Sequence, residues 1–207
     1  MKRRSSTSIA IRIATLIASS IALLLMAPAL AWAHGGADAG MHHGTAFVAG
    51  FLHPFTGTDH LLSMLVVGLW SALATRRIWV PPLAFACVLL LGGILGLNGV
   101  HLPAVEPMIA TSLLILGLLL ATRAHLPTGL ALGLISGFAL FHGVAHGAEL
   151  PATQAFSALT GMVLATLGIH LSGLLAGHFL LARSVWLPRV MGAGVTAFGA
   201  GLLTGLI

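Results

Sequence analysis

The chain has 207 residues, of which 58% are hydrophobic and only 6% charged, with 26 glycines and no tyrosine. This composition is typical of a membrane protein with several spans rather than of a soluble domain. The formal net charge of +5 is concentrated before residue 13, because four of the nine basic residues lie there. The remainder of the chain is nearly neutral, which excludes a basic surface for nucleic acid.

The N-terminus has the three parts of a signal peptide. Basic residues up to Arg12 precede a short apolar run at 13–27, and an Ala-Trp-Ala pattern ends at Ala33. The sequence therefore predicts that residues 1–33 are a signal peptide and that cleavage leaves His34 as the first residue. An uncleaved first transmembrane helix is the alternative, but the apolar run is short for one.

Residues 34–44 form a small, polar, histidine-rich segment that cannot bury a core and is able to bind metal. A transmembrane helical domain is predicted for 45–207. It begins with a short helix at 45–52, which ends at a His-Pro break. Six apolar runs follow at about 58–75, 79–97, 107–122, 128–146, 153–181 and 187–207. Most of them approach the ~20 residues that a helix needs to cross a bilayer, so the fold class is an all-α polytopic bundle of about six transmembrane helices.

Glycines recur at a spacing of four along several of these runs. Such spacing lets helix backbones approach closely in lipid. The sets are Gly92/Gly96, Gly129/Gly133/Gly137 and Gly173/Gly177.

The arginines predict the orientation. Those of the mature chain fall between runs one and two, three and four, or five and six: Arg76, Arg77, Arg123, Arg183 and Arg189. The positive-inside rule places these loops in the cytoplasm. The mature N-terminus would then lie in the periplasm of a bacterial inner membrane, where a signal peptide would deliver it.

Carboxylates and imidazoles sort to the opposite, external side. All four acidic residues, Asp38, Asp59, Glu106 and Glu149, fall there, as do His34, His42, His43, His53, His60, His101, His142 and His146. An outer face with these groups and no nearby lysine or arginine attracts divalent cations. The expected partners are therefore a metal ion and the lipid bilayer.

The first cluster of candidate ligands surrounds the break between the short helix and the first run. A proline after His53 disfavours helix at that residue, and Gly57 allows a tight turn. Asp59 opens the next run, as an acidic residue at a helix start should. His60 and Met64 lie one turn apart and share a face.

The second cluster lies at the outer end of run four. His142, His146 and Glu149 follow one another at spacings of four and three, so a helix would place them on one face. Two neutral imidazoles and a carboxylate suit nickel, cobalt, zinc, iron or copper. The alternative is that these histidines bond backbone groups or cap the helix. Two such clusters in one small membrane protein favour metal binding.

Deeper groups are candidates to line a pathway. His170 and His178 lie on run five, where an ionisable group at membrane depth is a functional candidate. The alternative for each is a neutral histidine bonded to a neighbouring helix. Met64 offers a soft donor, although methionine in a packed helix is more often filler.

The two clusters carry a resemblance to a known family. His-Pro-Phe-Thr-Gly-Thr-Asp-His, from His53 to His60, and Phe-His-Gly-Val-Ala-His-Gly-Ala-Glu, from Phe141 to Glu149, resemble the HupE/UreJ family over nearly the whole mature chain. That family comprises small membrane proteins associated with hydrogenase and urease genes and regarded as nickel permeases. The resemblance implies that the functional residues are His53, Asp59, His60, His142, His146 and Glu149.

The leading hypothesis is a secondary transporter of a divalent transition metal, with nickel or cobalt as cargo and copper or zinc also compatible with the donors. The chain has no Gly-x-x-x-x-Gly-Lys-[Ser/Thr] loop, so it is not expected to hydrolyse ATP. One alternative is an intramembrane zinc hydrolase using His142, His146 and Asp59. A haem protein with paired histidine ligands is another. The prediction is that the chain is not an enzyme.

The new N-terminus is a further candidate ligand. Cleavage after Ala33 would free the α-amino group of His34 beside its own imidazole, and these two nitrogens can chelate one ion. His42 and His43 lie close enough to add a donor. The alternative is that His34 only begins a disordered tail.

Overall fold

A computed structural model of the chain describes residues 43–150, 152–179 and 183–207. Within those ranges the regular structure is entirely helical, so the predicted all-α fold class is confirmed. The predicted signal peptide at 1–33 lies outside the described residues, as do His34 and most of the segment at 34–44. Both remain predictions.

Seven α-helices follow one another along the described chain. Their bounds are α1 His43–Leu52, α2 Thr58–Ala74, α3 Val80–Leu97, α4 Val105–Thr122, α5 Thr128–Glu149, α6 Ala155–Phe179 and α7 Trp186–Thr204. Short 3-10 turns occupy His53–Phe55 and Ala152–Gln154. Each of the six apolar runs coincides with one helix from α2 to α7, and the short helix predicted at 45–52 lies within α1.

Fewer helices qualify as membrane spans than the described chain contains. Among the described residues, the four helices α3 to α6 are long and apolar enough to cross a membrane. A fifth span is added if Ala46–Phe55 and α2 count as one broken element. Helix α7 is not among the candidates, because Arg189 and its glycines lower its hydropathy. These apolar helices are consistent with a multi-pass membrane protein, while the count of six remains a prediction.

The bend between α1 and α2 has an identifiable cause. Pro54 lacks a backbone N–H and sits in the 3-10 turn, and Gly57 is extended with φ −101° and ψ 118°. The axes on either side differ by 78°. Thr56 closes the turn by donating both its N–H (3.0 Å) and its hydroxyl (2.7 Å) to the carbonyl of His53. The predicted break is therefore an ordered corner that holds His53 in place.

Glycines set the closest helix contacts. Helix α3 packs against α5, α4 against α7, and α6 against both α1 and α2. A Cβ placed on Gly143 of α5 would lie 2.9 Å from the Cα of Gly92 on α3, closer than side chains tolerate. A Cβ on Gly173 of α6 would lie 3.1 Å from the Cα of Gly68 on α2. Two of the predicted glycine sets therefore lie at helix contacts, as expected in lipid.

The third glycine set behaves differently. A Cβ added to Gly129, Gly133 or Gly137 would meet nothing within 4 Å. Within the described chain these glycines do not bring α5 onto another helix, so the expectation of a close contact is wrong for this set. The reason is that α5 meets α3 through a later stretch, at Gly143 and Gly147.

The arginine-bearing loops gather at one end of the bundle. His125, with Nδ1 2.7 Å from the carbonyl of Ala74, links the loop after α4 to the end of α2. The guanidinium of Arg123 donates to the carbonyl of Ser184, which links the same loop to the start of α7. We call this the arginine end (Arg76, Arg77, Arg123 and Arg183). Trp79 and Trp186 are exposed there, as interfacial anchors should be.

Orientation can be tested with single cysteines in a Cys87→Ser background. Because the arginine end is expected to face the cytoplasm, Ile78→Cys, Ala124→Cys and Ser184→Cys should resist an impermeant thiol reagent added to intact cells. The matched control, His101→Cys in the loop between α3 and α4, should react. Labelling of the three arginine-end sites before lysis would overturn the predicted orientation.

Candidate metal site

Four imidazoles from two distant stretches of the chain meet at the end opposite the arginines. His53 lies in the 3-10 turn and His60 in the first turn of α2, while His142 and His146 belong to α5. The ring centroids of His60 and His146 are 4.4 Å apart, those of His53 and His146 4.6 Å, and those of His60 and His142 5.1 Å. We call this group, together with Asp59 and Glu149, the histidine cluster.

The sequence of α5 explains how its two histidines reach the cluster. His142 and His146 are one turn apart, so both point to the same side, towards the bend. The glycine after each of them faces α3 instead. A Cβ on Gly147 would lie 2.8 Å from the Cα of Gly93, and Gly143 is equally tight against Gly92. In this His-Gly repeat the histidines supply donors and the glycines permit the packing that fixes them.

The tightest potential ligand set is His53, His146 and Glu149. One donor atom from each lies within 4.8 Å of the other two. Nε2 of His53 is 3.0 Å from Oε2 of Glu149. Donors bound to one transition-metal ion at ~2.0–2.1 Å lie at most about 4 Å apart. Small side-chain rotations would therefore let these three groups bind a single cation.

Hydrogen bonds orient the other two imidazoles. Nδ1 of His60 is 2.9 Å from Oδ1 of Asp59, and an ionised carboxylate can only accept, so Nδ1 carries the proton. Nδ1 of His142 donates in the same way to the carbonyl of Phe138 at 2.9 Å. In each neutral ring the lone pair is then on Nε2. Both Nε2 atoms are buried without a hydrogen-bond partner among the described residues.

This arrangement gives Asp59 a specific place. It contacts the far side of the His60 ring, the position from which a second-layer carboxylate orients a metal-binding histidine. Gly57 makes room for the pair, since a Cβ there would lie 2.9 Å from Oδ1 of Asp59 and 3.0 Å from Nδ1 of His60. Gly57 is thus needed for the pair as well as for the turn.

Charge and burial both suit a cation that enters from outside the bundle. The described arginines lie at the arginine end or in the first turn of α7. None of them is therefore placed to neutralise the two carboxylates of the histidine cluster. The side chain of Glu149 is 65% exposed, whereas His146 is 3% exposed and His142 is fully buried. The cluster therefore runs from an exposed carboxylate to a buried imidazole.

The remaining predicted residues lie elsewhere. Met64 and His170 are buried inside the bundle. His178 is exposed on α6 and contacts the ring of Phe179. His34 lies outside the described residues. The structure therefore brings together the six helix- and turn-borne candidates of the two motifs.

Two residues in this part of the bundle, Phe85 and Thr166, were not predicted from the sequence. Phe85 of α3 packs edge-on against His142 (5.6 Å between centroids) and against His170 (5.0 Å). Nothing distinguishes this phenylalanine from others in its apolar run. Thr166 donates to the sulfur of Met64. Thr166 lies four residues before His170, and this helical spacing is the signal that would have pointed to Thr166.

A separate cavity of about 920 Å³ opens at the arginine end. Its lining includes Arg76, Arg77 and His125. The two arginine guanidiniums do not suit cation capture. The cavity therefore does not compete with the histidine cluster as the place where a metal would bind first.

Comparison with known proteins agrees with the motifs. A family model described as HupE / UreJ protein matches residues 21–202. The chain is 40% identical over 193 residues to Protein HupE of Rhizobium leguminosarum bv. viciae, an alignment that covers 91% of this chain and 97% of that protein. No solved structure matches significantly. On this similarity, which runs through both motifs and almost the full length, the chain belongs to the HupE/UreJ family.

Proposed function

We propose that the chain is a permease that carries a divalent transition-metal cation, nickel or cobalt, and captures it at the histidine cluster. The observation that carries the proposal is the convergence of donors from two distant stretches on one point, with His53, His146 and Glu149 within 4.8 Å of one another. Membership of a family related to nickel and cobalt transport supports it.

Capture begins at the exposed carboxylate. Glu149 attracts a hydrated cation, and water ligands are exchanged for the imidazole of His53 and then of His146. The lone pairs of His60 and His142 on Nε2 lie next along the cluster. Because an imidazole binds a metal through its neutral form, the two carboxylates supply the negative charge that matches a dication. Copper and zinc fit the same donors, so selection among the metals depends on geometry and availability.

The energy for import would come from the membrane potential. Moving one charge through 100 mV is worth ~2.3 kcal/mol, so a dication gains about 4.6 kcal/mol. This requires the histidine cluster to face the periplasm and the arginine end the cytoplasm of a bacterial inner membrane. It also requires weak enough binding for release, in contrast to a structural or catalytic metal.

The alternatives fit the geometry less well. A zinc hydrolase needs a general base apart from the ligands, but Glu149 contacts His53 and Asp59 contacts His60. A haem needs space between two axial histidines, whereas the rings of His60 and His146 touch. Both observations favour a metal ion held briefly between side chains.

The first test removes one imidazole from each stretch. His60→Ala and His146→Ala should each reduce cellular uptake of radioactive nickel or cobalt nearly to background, and the double variant should add little, because members of one unit are not additive. His101→Ala, which removes an exposed imidazole outside the cluster, should transport normally. Near-normal uptake by both single variants, with protein present in the membrane, would refute the site.

Asp59→Asn separates charge from shape. The amide can still accept the proton of Nδ1 on His60, so the ring stays oriented while one negative charge is lost. We expect nickel affinity to fall by about 10- to 100-fold, as for other partners of metal-binding histidines. Equilibrium binding to purified protein measures this. An unchanged affinity would mean that the charge of Asp59 does not contribute.

Gly57→Ala tests the packing of the Asp59–His60 pair. The new methyl group would come within 3.0 Å of both side chains, so the pair must separate or rotate. We expect weaker nickel binding with little change in thermal stability, because the clash involves side-chain atoms rather than the core. Wild-type affinity in this variant would show that the pair does not orient His60 for binding.

A further inference from the structure

His170 is the buried ionisable group that the histidine cluster does not use. It is 1% exposed, and neither ring nitrogen has a hydrogen-bond partner among the described residues. A neutral imidazole always offers one N–H and one lone pair, and burying either of them without a partner is unfavourable. His142, by contrast, gives its Nδ1 proton to Phe138. Packing alone therefore does not account for a histidine at position 170.

The hydroxyl of Thr166, beside His170, has an unusual hydrogen-bond partner. Thr166 lies one turn before His170 on α6, is fully buried, and donates its hydroxyl to the sulfur of Met64 at 3.5 Å. Five other helical threonines donate to the carbonyl four residues earlier at 2.7–2.9 Å: Thr111, Thr122, Thr160, Thr196 and Thr204. The hydroxyl of Thr166 instead faces α2.

Backbone packing holds the two helices that carry these groups together. Gly68, one turn after Met64, has no room for a side chain, since a Cβ there would lie 2.9 Å from the amide nitrogen of Leu174. The ring of His170 contacts Phe85, which also contacts His142. One aromatic ring therefore lies against both the buried end of the histidine cluster and this inner group.

We propose that His170, Met64 and Thr166 form a second metal-binding station inside the bundle, which receives the same divalent cation after capture; this rests on the proposed transport function. The donors are an imidazole nitrogen, a thioether sulfur and a hydroxyl oxygen. Nitrogen and sulfur favour transition metals over magnesium or calcium. Without a carboxylate the set is neutral, so it holds a dication less tightly than the histidine cluster and allows onward release.

The test combines equilibrium binding and uptake, with Ni²⁺ as the probe and purified protein in lipid nanodiscs. Wild-type protein should bind one ion tightly and a second more weakly. Met64→Leu, which keeps the volume and removes the sulfur, and His170→Gln should keep the tight ion and lose the weak one. Their uptake should fall roughly 10-fold or more, the scale of losing one group that supports a metal. Met191→Leu, a methionine packed elsewhere against the core, should behave as wild type.

A spectroscopic readout separates ligation from packing. In His146→Ala protein loaded with Ni²⁺, X-ray absorption at the nickel edge should show a sulfur neighbour, and adding Met64→Leu should remove it. Absence of sulfur, or normal uptake by both Met64→Leu and His170→Gln, would overturn the inner station while leaving capture at the cluster intact. If wild-type protein neither binds nor imports Ni²⁺ or Co²⁺, the proposed function and the station fail together.

Discussion

The 78° bend between α1 and α2 is the constraint on which the histidine cluster depends. Non-helical backbone at membrane depth is tolerated only where its polar groups are satisfied or face a polar cavity. Here Thr56 bonds the carbonyl of His53 twice, and the amide of Leu61 bonds the carbonyl of Gly57 at 3.0 Å. The corner is thus closed by its own residues, and it turns His53 and His60 towards α5. A straight helix through this stretch would put them more than a turn apart along one axis, where they could not both contact His146.

Close backbone contact is the second requirement, because the cluster lies between helices that must keep a fixed distance. In lipid there is little hydrophobic drive for helices to associate, so small residues at the contact supply the packing. Gly143 and Gly147 do this for α5 on α3, and Gly68 and Gly173 for α2 on α6. Of these helices, α5 carries His142 and His146, and α2 carries His60. A side chain added at these glycines would push the helices apart and so displace the ligands that they carry. The geometry of the metal site therefore depends on these glycines.

The sequence predicted the helices well because hydropathy, prolines and arginines are local signals. It also predicted His142, His146 and Glu149 as one group, since helical spacing alone places them on one face. The sequence could not predict which helices pack against each other, and the prediction for the third glycine set was wrong for that reason. Gly129, Gly133 and Gly137 have the same spacing as Gly92 and Gly96, but a Cβ on them would meet nothing within 4 Å, because a glycine permits close packing only where another helix lies opposite. That Asp59 binds the metal stays a prediction; the fold adds that its Oδ1 contacts the ring of His60, which the sequence did not indicate. Phe85 gave no signal at all.

The order of donors along the bundle has a physical consequence for transport as proposed. The outer group contains two carboxylates, which attract a dication and also retain it. If the next station were equally charged, the ion would gain nothing by moving except the fraction of the membrane potential between the two positions, out of about 4.6 kcal/mol per 100 mV for the whole crossing. A neutral inner set would bind the cation more weakly than the histidine cluster does. The weaker binding would offset part of the energy gained from the membrane potential, but the cation would leave the inner set faster. The arginines at the far end would repel the departing cation, because like charges in a poorly screened interior repel strongly. A second cation that enters the histidine cluster would repel the first one in the opposite direction, towards the arginine end. On the proposed pathway, release would then depend on occupancy of the histidine cluster, and a site with strong donors would still serve a permease.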